Sequence, residues 1–255
     1  MRLPYELLDE IIGYLPLDDR KPLRASSLVA KSWVSLAQRR LFSSVIITND
    51  NHQSWKNSIS PTNQELLSHV RSLLYSAALR VPGRDTRLVN DFNYLPSFHR
   101  LQSLSLCKIF IPSDIPKWLE VFSAFRHTLS SLILRSLFLS LSTFIAIVDY
   151  FPHLRDLEIS GPSWKTDHEQ APPLSRPLRG RLSINTHDLK PFADMFSGLE
   201  TEYDELLILG GYNLRPSARY HQCIVDTCGK CLKRLKLHQR ACTFRCIRYL
   251  VVNIS

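Results

Sequence analysis

The chain has 255 residues, of which 44% are hydrophobic and 22% are charged. This composition supplies apolar side chains for a sizeable core and argues against long disordered stretches. It contains no run of about 18 apolar residues, which a membrane-spanning helix would need. Most of the six cysteines cluster unevenly near the end of the chain, unlike the framework of a secreted, disulfide-rich domain. We therefore expect a reducing compartment, the cytoplasm or the nucleus.

The net charge of +9 is concentrated at one end of the chain. Residues 219–255 hold eight basic side chains and one acidic side chain, whereas basic and acidic residues balance across 47–218. The positive charge therefore belongs mostly to the last 37 residues, and an electrostatic contact with a partner would be expected there.

The start of the chain predicts a helix with more apolar surface than one face needs. Leu8, Ile12 and Leu15 follow at i, i+4 and i+7 and form one stripe. A second stripe runs one position earlier, through Leu7, Ile11 and Tyr14. The helix is expected to end before Pro16, because the residue preceding a proline is driven out of the helical region. A lone surface helix needs one apolar stripe, so the second stripe predicts a further partner.

Two more short helices are predicted to follow. Asp18 or Asp19 is placed to cap the second helix, with Pro22 in its first turn, where proline is tolerated. The third runs roughly from Lys31 to Leu41. Three short helices in about 45 residues bury too little surface for a robust core. This favours a module that another protein completes. The alternative is an ordinary helical subdomain packed on the rest of the chain.

The same residues carry a signature. It consists of Leu3-Pro4-Tyr5-Glu6-Leu7-Leu8, Ile11-Ile12, Leu15-Pro16 and a closing Ser27-Leu28-Val29-Ala30-Lys31-Ser32-Trp33. In order and spacing it resembles an F-box, with Ala30 at a position where that family commonly has cysteine. The resemblance implies docking onto the Skp adaptor of a cullin-based ubiquitin ligase, while the remaining chain captures the substrate. The residues implied in adaptor binding are Leu3, Pro4, Leu7, Leu8, Ile11, Leu15, Pro16, Leu28, Val29 and Trp33.

Beyond a polar stretch at 48–65, which predicts a linker, one phrase recurs along the chain. Its apolar residues are separated first by two positions and then by one, as in Leu101-Gln-Ser-Leu104-Ser-Leu106. The interval between copies lies close to that of leucine-rich repeats. The alternating end of the phrase predicts a short strand with one buried face. The central leucines are Leu73, Leu104, Leu132, Leu157, Leu182, Leu207 and Leu235.

Helical stripes lie between the phrases, such as Trp118, Phe122 and Phe125, and a second one from Phe144 to Phe151 behind a possible cap at Ser142. Strand and helix alternating at a regular period predict a solenoid, in which each repeat buries its apolar face on its neighbours. A doubly wound parallel sheet is disfavoured, because no Gly-rich turn from strand to helix is present.

The expected fold class is α+β / α/β, with a boundary after the first three helices. Residues 1–47 form the small three-helix F-box, 48–65 the linker, and 66–255 an irregular leucine-rich-repeat α/β solenoid. The irregular copies resemble the degenerate leucine-rich arrays often joined to an F-box. Residues 160–177 lack an apolar period and are expected to form a long loop.

Cysteines near the end of the chain have a spacing that resembles a metal site. Cys228 and Cys231 have the spacing of a zinc knuckle, and Cys242 and Cys246 follow. The phrase between the pairs, if it is a strand, carries the chain some 20 Å away. The few residues after it reach at most about 14 Å, too short to bring Cys242 back. We therefore predict no bound metal and no cofactor.

Charged residues of the phrases form a candidate substrate surface. Arg234 and Lys236 alternate with leucines in the last phrase and suit an acidic or phosphorylated segment. A solvated edge without a ligand is the alternative. We assign substrate binding to Asp156, Glu158, Arg234, Lys236 and His238, and we expect exposed side chains at these positions and at Ser103, Ser105, Ser131 and Ile133.

The sequence shows no phosphate-binding loop, nucleophile elbow or HExxH helix, so no catalytic residue is assigned and an enzyme is not expected. The predicted function is that of a substrate-recruiting subunit of a Skp–cullin–F-box ubiquitin ligase. It would bridge the Skp adaptor, and through it a cullin scaffold, to a target protein, and would act by proximity. The alternative is a nucleic-acid-binding protein that uses its basic end and dimerises through its first helices.

Overall fold

The computed structural model describes residues 4–15, 19–58, 64–76, 95, 97–109, 115–164, 174–186, 189–196, 202–210, 223–226, 232–240 and 247–253. They form a mixed α/β fold around one open sheet of nine strands, eight of them parallel. The helices are α1 (Tyr5–Tyr14), α2 (Arg20–Ser26), α3 (Lys31–Leu41), α4 (His52–Ser58), α5 (Gln64–Leu67), α6 (Ile115–Phe122), α7 (Leu141–Tyr150) and α8 (Lys190–Phe196). None of these described helices is long and apolar enough to cross a membrane.

The strands of the large sheet follow one another in chain order. They are β1 (Ser44–Thr48), β2 (Ser72–Ser76), β3 (Ser103–Cys107), β4 (Ser131–Arg135), β6 (Asp156–Ser160), β8 (Arg179–Thr186), β9 (Glu202–Gly210), β10 (Arg234–Arg240) and β11 (Ile247–Asn253). Strand β11 pairs antiparallel with β10. Two short strands, β5 (Phe138–Leu139) and β7 (Ser163–Trp164), pair with each other in a separate two-stranded sheet.

The first three helices have a small core of their own. Helix α1 ends at Tyr14, and Leu15 takes an extended conformation with a ψ of 135°, which the following proline favours. Of the two candidate caps, Asp19 is the one that caps α2, because it accepts a hydrogen bond of 3.0 Å from the Lys21 amide. The buried side chains of this helical cluster are Leu8, Ile12, Leu23, Leu36 and Ala37.

The parallel strands are aligned by a row of buried apolar residues. One residue from each strand lies in this row, and the residues that alternate with it lie on the opposite side, which we call the open face. The buried side is covered by aromatic side chains that include Trp118, Phe122 and Phe144. The row consists of Val45, Leu73, Leu104, Leu132, Leu157, Leu182, Leu206 and Leu235.

The sixth leucine of this row is Leu206, and the prediction of Leu207 is wrong. A register irregularity after Gly180 precedes the pairing of Leu182 with Leu206. Leu207 lies on the open face and is half-buried. Four consecutive apolar residues follow Glu205, so the alternation that marks the buried face is absent, and a shift of one position exchanges the two faces.

Strand β1 joins the helical cluster to the sheet. The sequence assigns residues 44–47 to the first module, yet Val45 and Ile47 lie in the core beneath the sheet. Helix α4 lies within the predicted linker, and its Trp55 packs against the same core. Two residues, Phe42 and Ser43, separate α3 from β1. The helical cluster therefore continues directly into the sheet.

Side chains occupy the outer edge of β1. Arg20 Nη2 donates a hydrogen bond of 3.1 Å to the Ser44 carbonyl. Asn51 Nδ2 donates to the Ile46 carbonyl at 2.9 Å, and Asn51 Oδ1 accepts from the Thr48 amide at 2.7 Å. These bonds occupy backbone groups that an added strand would use.

The helices behind the sheet follow the predicted aromatic stripes, with one correction to a helix cap. Ser140, not Ser142, caps α7, and its Oγ accepts a hydrogen bond of 3.0 Å from the Thr143 amide. This is because the helix already begins at residue 141, so Ser142 lies inside its first turn.

The predicted loop at 160–177 contains a short strand, β7, whose Trp164 ring lies 5.2 Å from that of Phe192. Residues 165–173 of that loop lie outside the described residues.

Candidate binding surfaces

Helix α1 buries one of its two apolar stripes and exposes the other. Leu8 and Ile12 are 4% and 1% exposed and belong to the core of the helical cluster. On the second stripe, the exposed fractions are 46% for Leu7, 41% for Ile11 and 80% for Tyr14. Within the described part of the chain, no element covers this second stripe.

The turn between α2 and α3 exposes two further large apolar side chains. Leu28 is 86% exposed and Val29 is 66% exposed. The Val29 amide donates a hydrogen bond of 3.2 Å to the Ser26 carbonyl, which holds the turn against the end of α2. Of the eight large apolar side chains that the described residues leave exposed, six belong to the first 29 positions. We call these six the apolar set: Tyr5, Leu7, Ile11, Tyr14, Leu28 and Val29.

The residues that the sequence assigns to adaptor binding have different positions. Pro4, Leu7, Ile11, Leu28 and Val29 are exposed, whereas Leu15 and Trp33 are half-buried and pack against the core of the helical cluster. Leu8 is buried in that core, so its side chain holds the cluster together and is not at the surface. Leu3 and Pro16 lie outside the described residues. Tyr14 was not assigned to the surface, although the second stripe in the sequence includes it.

On the open face, the predicted acidic residues are paired with arginines from neighbouring strands. Glu158 on β6 lies 2.8 Å from an Arg135 guanidinium nitrogen on β4. Asp156 lies 3.4 Å from Arg181 on β8. The two carboxylates are therefore held in cross-strand ion pairs, which keep this part of the face close to neutral.

The predicted basic residues of β10 are also paired. Lys236 Nζ lies 2.8 Å from Glu205 Oε1, and Arg234 lies 3.7 Å from the other carboxylate oxygen of Glu205. The hydrogen bond from Lys236 lowers the pKa of Glu205, and the nearby positive charges add to this effect while partial burial opposes it. His238 pairs in register with Leu209 and Tyr249 on the flanking strands.

Small side chains occupy the same positions on the first strands of the sheet. Ser44, Ser72, Ser103 and Ser131 lie in one register row. Ser105 is buried, and the prediction that it is exposed is wrong. The reason is that its short side chain lies in register between two larger ones, from Leu74 and Ile133. Of the remaining predicted positions whose side chains are described, Arg234 is exposed and the others are half-buried.

A cleft of about 430 Å³ lies where the helical cluster meets the sheet. Its lining includes Arg20, Arg40 and Trp55. Arg20 donates to the Ser44 carbonyl, and Arg40 Nη2 donates to the Leu15 carbonyl at 3.2 Å. Arg20 therefore ties the helices to the sheet, and Arg40 ties α3 to the end of α1.

The predicted cysteine pairs, Cys228 with Cys231 and Cys242 with Cys246, lie outside the described residues. Among the residues that are described, no three His, Cys, Asp or Glu side chains come together in a way that would hold a metal ion. Cys223, on the short helical segment at 223–226, is half-buried, with its Sγ 3.9 Å from the Ala193 carbonyl oxygen.

No protein family model matches the chain, and no curated protein matches it either.

Proposed function

We propose that this protein is a substrate-recruiting subunit of a Skp–cullin–F-box ubiquitin ligase. The observation that carries the proposal is the exposed apolar set on the helical cluster. Five buried residues make up the core of that cluster, while six large apolar side chains remain on its surface. Exposed apolar groups in such density are typical of a surface that a partner protein covers.

The positions of these side chains support a partner bound to the helices. Leu7 and Ile11 are spaced by one helical turn and form an exposed stripe of α1 beside the stripe that faces the core. Leu28 and Val29 occupy a turn in which their side chains contribute little to the helical core, because most of their surface is exposed. Selection for folding alone does not require apolar residues at these four positions. They match the F-box signature, which implies a Skp-family adaptor as the partner.

The sheet supports a role in capturing the target protein. We propose that β2 to β10 and their intervening segments are degenerate leucine-rich repeats of an open solenoid. Support comes from the row of buried leucines that runs across the sheet and from strands that lie side by side in chain order. Such an array presents one broad face, and the protein would act without catalytic residues by bringing target lysines close to a ubiquitin-charged enzyme. This role places it in the cytoplasm or the nucleus.

Adaptor binding is tested with a double variant, Leu28→Asp with Val29→Asp. Both side chains are largely exposed, so the helical core should remain intact. The purified chain is expected to form a complex with a Skp-family adaptor, and the double variant should weaken it about a hundredfold or more. The control is Ile46→Asp, since Ile46 is 48% exposed and lies on β1 outside the apolar set. Calorimetric titration measures all three proteins.

Two outcomes would contradict the proposal. One is an unchanged chain that does not bind the adaptor. The other is a double variant that binds as tightly as the Ile46→Asp control. Sedimentation of the chain alone tests the alternative, in which the helices are a dimerisation module. That alternative predicts a dimer that the double variant converts to a monomer.

A further inference from the structure

Four neighbouring strands of the sheet are each preceded by a histidine and an arginine. The segments concerned lead into β2, β3, β4 and β6, and all of them lie at the same end of the parallel strands. Six of the eight side chains are exposed, and His69 and Arg71 are half-buried. We call these eight residues the basic rim: His69, Arg71, His99, Arg100, Arg126, His127, His153 and Arg155.

Backbone hydrogen bonds stack these segments on one another. The Gln102 amide donates to the Arg71 carbonyl at 2.8 Å, the Ser130 amide to the Gln102 carbonyl at 2.9 Å, and the Arg155 amide to the Ser130 carbonyl at 2.8 Å. The His127 and His153 rings lie 6.3 Å apart. Neighbouring strands are about 4.8 Å apart, so the four segments fall within roughly 15 Å.

The positive charge of the rim is not neutralised by the described residues. Arg71 donates to the Ser68 carbonyl at 2.8 Å, and Arg126 donates to the Tyr150 carbonyl at 3.1 Å and covers the Tyr150 ring. Among the described residues, no carboxylate forms an ion pair with any of the four arginines of the rim, which are Arg71, Arg100, Arg126 and Arg155. The open face differs, because its arginines are paired with acidic residues of adjacent strands.

The environment of His69 reflects this concentration of charge. Burial lowers the pKa of His69, and the positive charges of Arg39, Arg71 and Arg100 lower it further, against the opposing effect of Glu65. Arginines that precede two different strands therefore act on one imidazole. The net charge of residues 47–218 is zero. The rim is therefore a charged surface only in the folded chain, where its basic residues come together.

We propose that the basic rim binds an acidic segment of a partner protein. Carboxylates on one side of such a segment recur about every 5–7 Å, in a helix or in an extended chain. This interval is close to the spacing of the stacked segments, and each arginine can grip a carboxylate with two hydrogen bonds. The rim differs from the apolar set, so the inference does not depend on the adaptor.

An acidic protein segment fits the rim better than a nucleic acid does. Proteins that bind single strands combine positive charge with aromatic rings on which the bases stack. Beside the described rim, the Tyr150 ring lies 4.9 Å beneath the Arg126 guanidinium, so that face of the ring is already occupied. The remaining rings of the rim are imidazoles, which are smaller than Phe, Tyr or Trp side chains, so the rim favours carboxylates over stacked bases.

The test uses the full chain and a fluorescent peptide in which glutamate alternates with serine. The control peptide has glutamine at every glutamate position. The chain should bind the acidic peptide and not the control, and the affinity should fall between about 50 and 200 mM salt. Replacement of Arg100→Glu with Arg155→Glu should weaken binding about tenfold or more. Both side chains are exposed, so the fold should be retained.

A second double variant distinguishes the effect of the rim on peptide affinity from the effect of the overall net charge. Arg24→Glu with Lys31→Glu makes the same change in net charge at two exposed positions of the helical cluster. It should leave the affinity for the acidic peptide within about twofold of the unchanged chain. Equal weakening by both double variants, or equal binding of the two peptides, would overturn the proposal. Tighter binding of a thymidine oligonucleotide than of an acidic peptide of equal charge would also overturn it, in favour of nucleic acid.

Discussion

Gly180 lies so close to Arg155 that a β-carbon at this position would come within 2.3 Å of the Arg155 carbonyl oxygen. Gly180 lies in β8, and Arg155 directly precedes the neighbouring strand β6. The Arg181 amide donates a hydrogen bond of 2.7 Å to the same carbonyl. Gly180 also has a φ of +88°, which favours glycine. The register irregularity that sets the pairing of β8 with β9 occurs at this point.

The substitution Gly180→Ala should therefore lower the free energy of unfolding by about 2–4 kcal/mol, because both the contact and the backbone conformation become strained. Gly13→Ala is the control. No atom lies within 4 Å of a β-carbon there, so alanine should stabilise α1 by about 0.5–1 kcal/mol. Denaturant unfolding measures both variants, and a change of the same sign in the two would contradict the expected contact.

The register of β9 predicts unequal effects at two adjacent leucines. Leu206 is buried in the row, whereas Leu207 is half-buried on the open face. Leu206→Ala should cost about 2–5 kcal/mol of unfolding free energy, and Leu207→Ala about 1 kcal/mol or less. Equilibrium unfolding in urea compares them. A larger loss at Leu207 would show that the strand is shifted by one residue.

The ion pair between Glu205 and Lys236 predicts a contribution to stability that depends on pH. The pKa of Glu205 in the folded chain is below the ordinary value of 4.5. The folded chain therefore binds this proton less readily than the unfolded chain does. The stabilisation is complete above the ordinary pKa and is lost as the pH falls through the lowered folded-state pKa.

Glu205→Gln should accordingly reduce stability near about pH 7 and have progressively less effect as the solution becomes acidic. Urea unfolding of the unchanged chain and the variant across this range measures the difference. Glu202→Gln serves as the control, because Glu202 pairs with Arg179 at the surface, where solvent screens the pair. A stability difference for Glu205→Gln that does not change with pH would argue against the pairing.

The edge of β1 predicts a combined loss of stability and solubility in Asn51→Ala. The substitution removes the hydrogen bonds to Ile46 and Thr48, at a cost of about 1–2 kcal/mol. It also frees edge groups for pairing with another chain. Asn51→Asp retains the acceptor for the Thr48 amide, so its stability should lie between that of the unchanged chain and that of Asn51→Ala. Unfolding and light scattering measure these effects, and an unchanged scattering signal in Asn51→Ala would show that the edge is protected by other groups.

The strands could be predicted from the sequence wherever apolar and small polar residues alternate. Leu104 and Leu157 are flanked on both sides by serine or charged residues, Leu132 has a serine on one side, and all three leucines are buried. The prediction failed at Leu207 because every neighbour is apolar, so the pattern carries no information about the face. It failed at Ser105 because burial there depends on residues of two other strands. Register between strands is a property of the folded chain.

The charged surfaces could not be predicted from segment totals. The basic residues of β10 were assigned to a partner because few acidic residues lie near them in the sequence. In the fold, Glu205 on the adjacent strand is paired with two of them. The apolar set could be predicted in part, since two stripes on one short helix cannot both face a core of five residues.

The short junction between α3 and β1 determines how the two parts of the molecule can move. The Ser43 carbonyl accepts hydrogen bonds of 2.9 Å from the amides of both Arg71 and Ser72. Arg20 fastens the start of α2 to the first residue of β1. The helices are thus connected to the sheet directly, without a flexible linker between α3 and β1. Under the proposed function, a target held on the sheet would therefore lie at a fixed orientation to the adaptor, at a distance set by the width of the sheet.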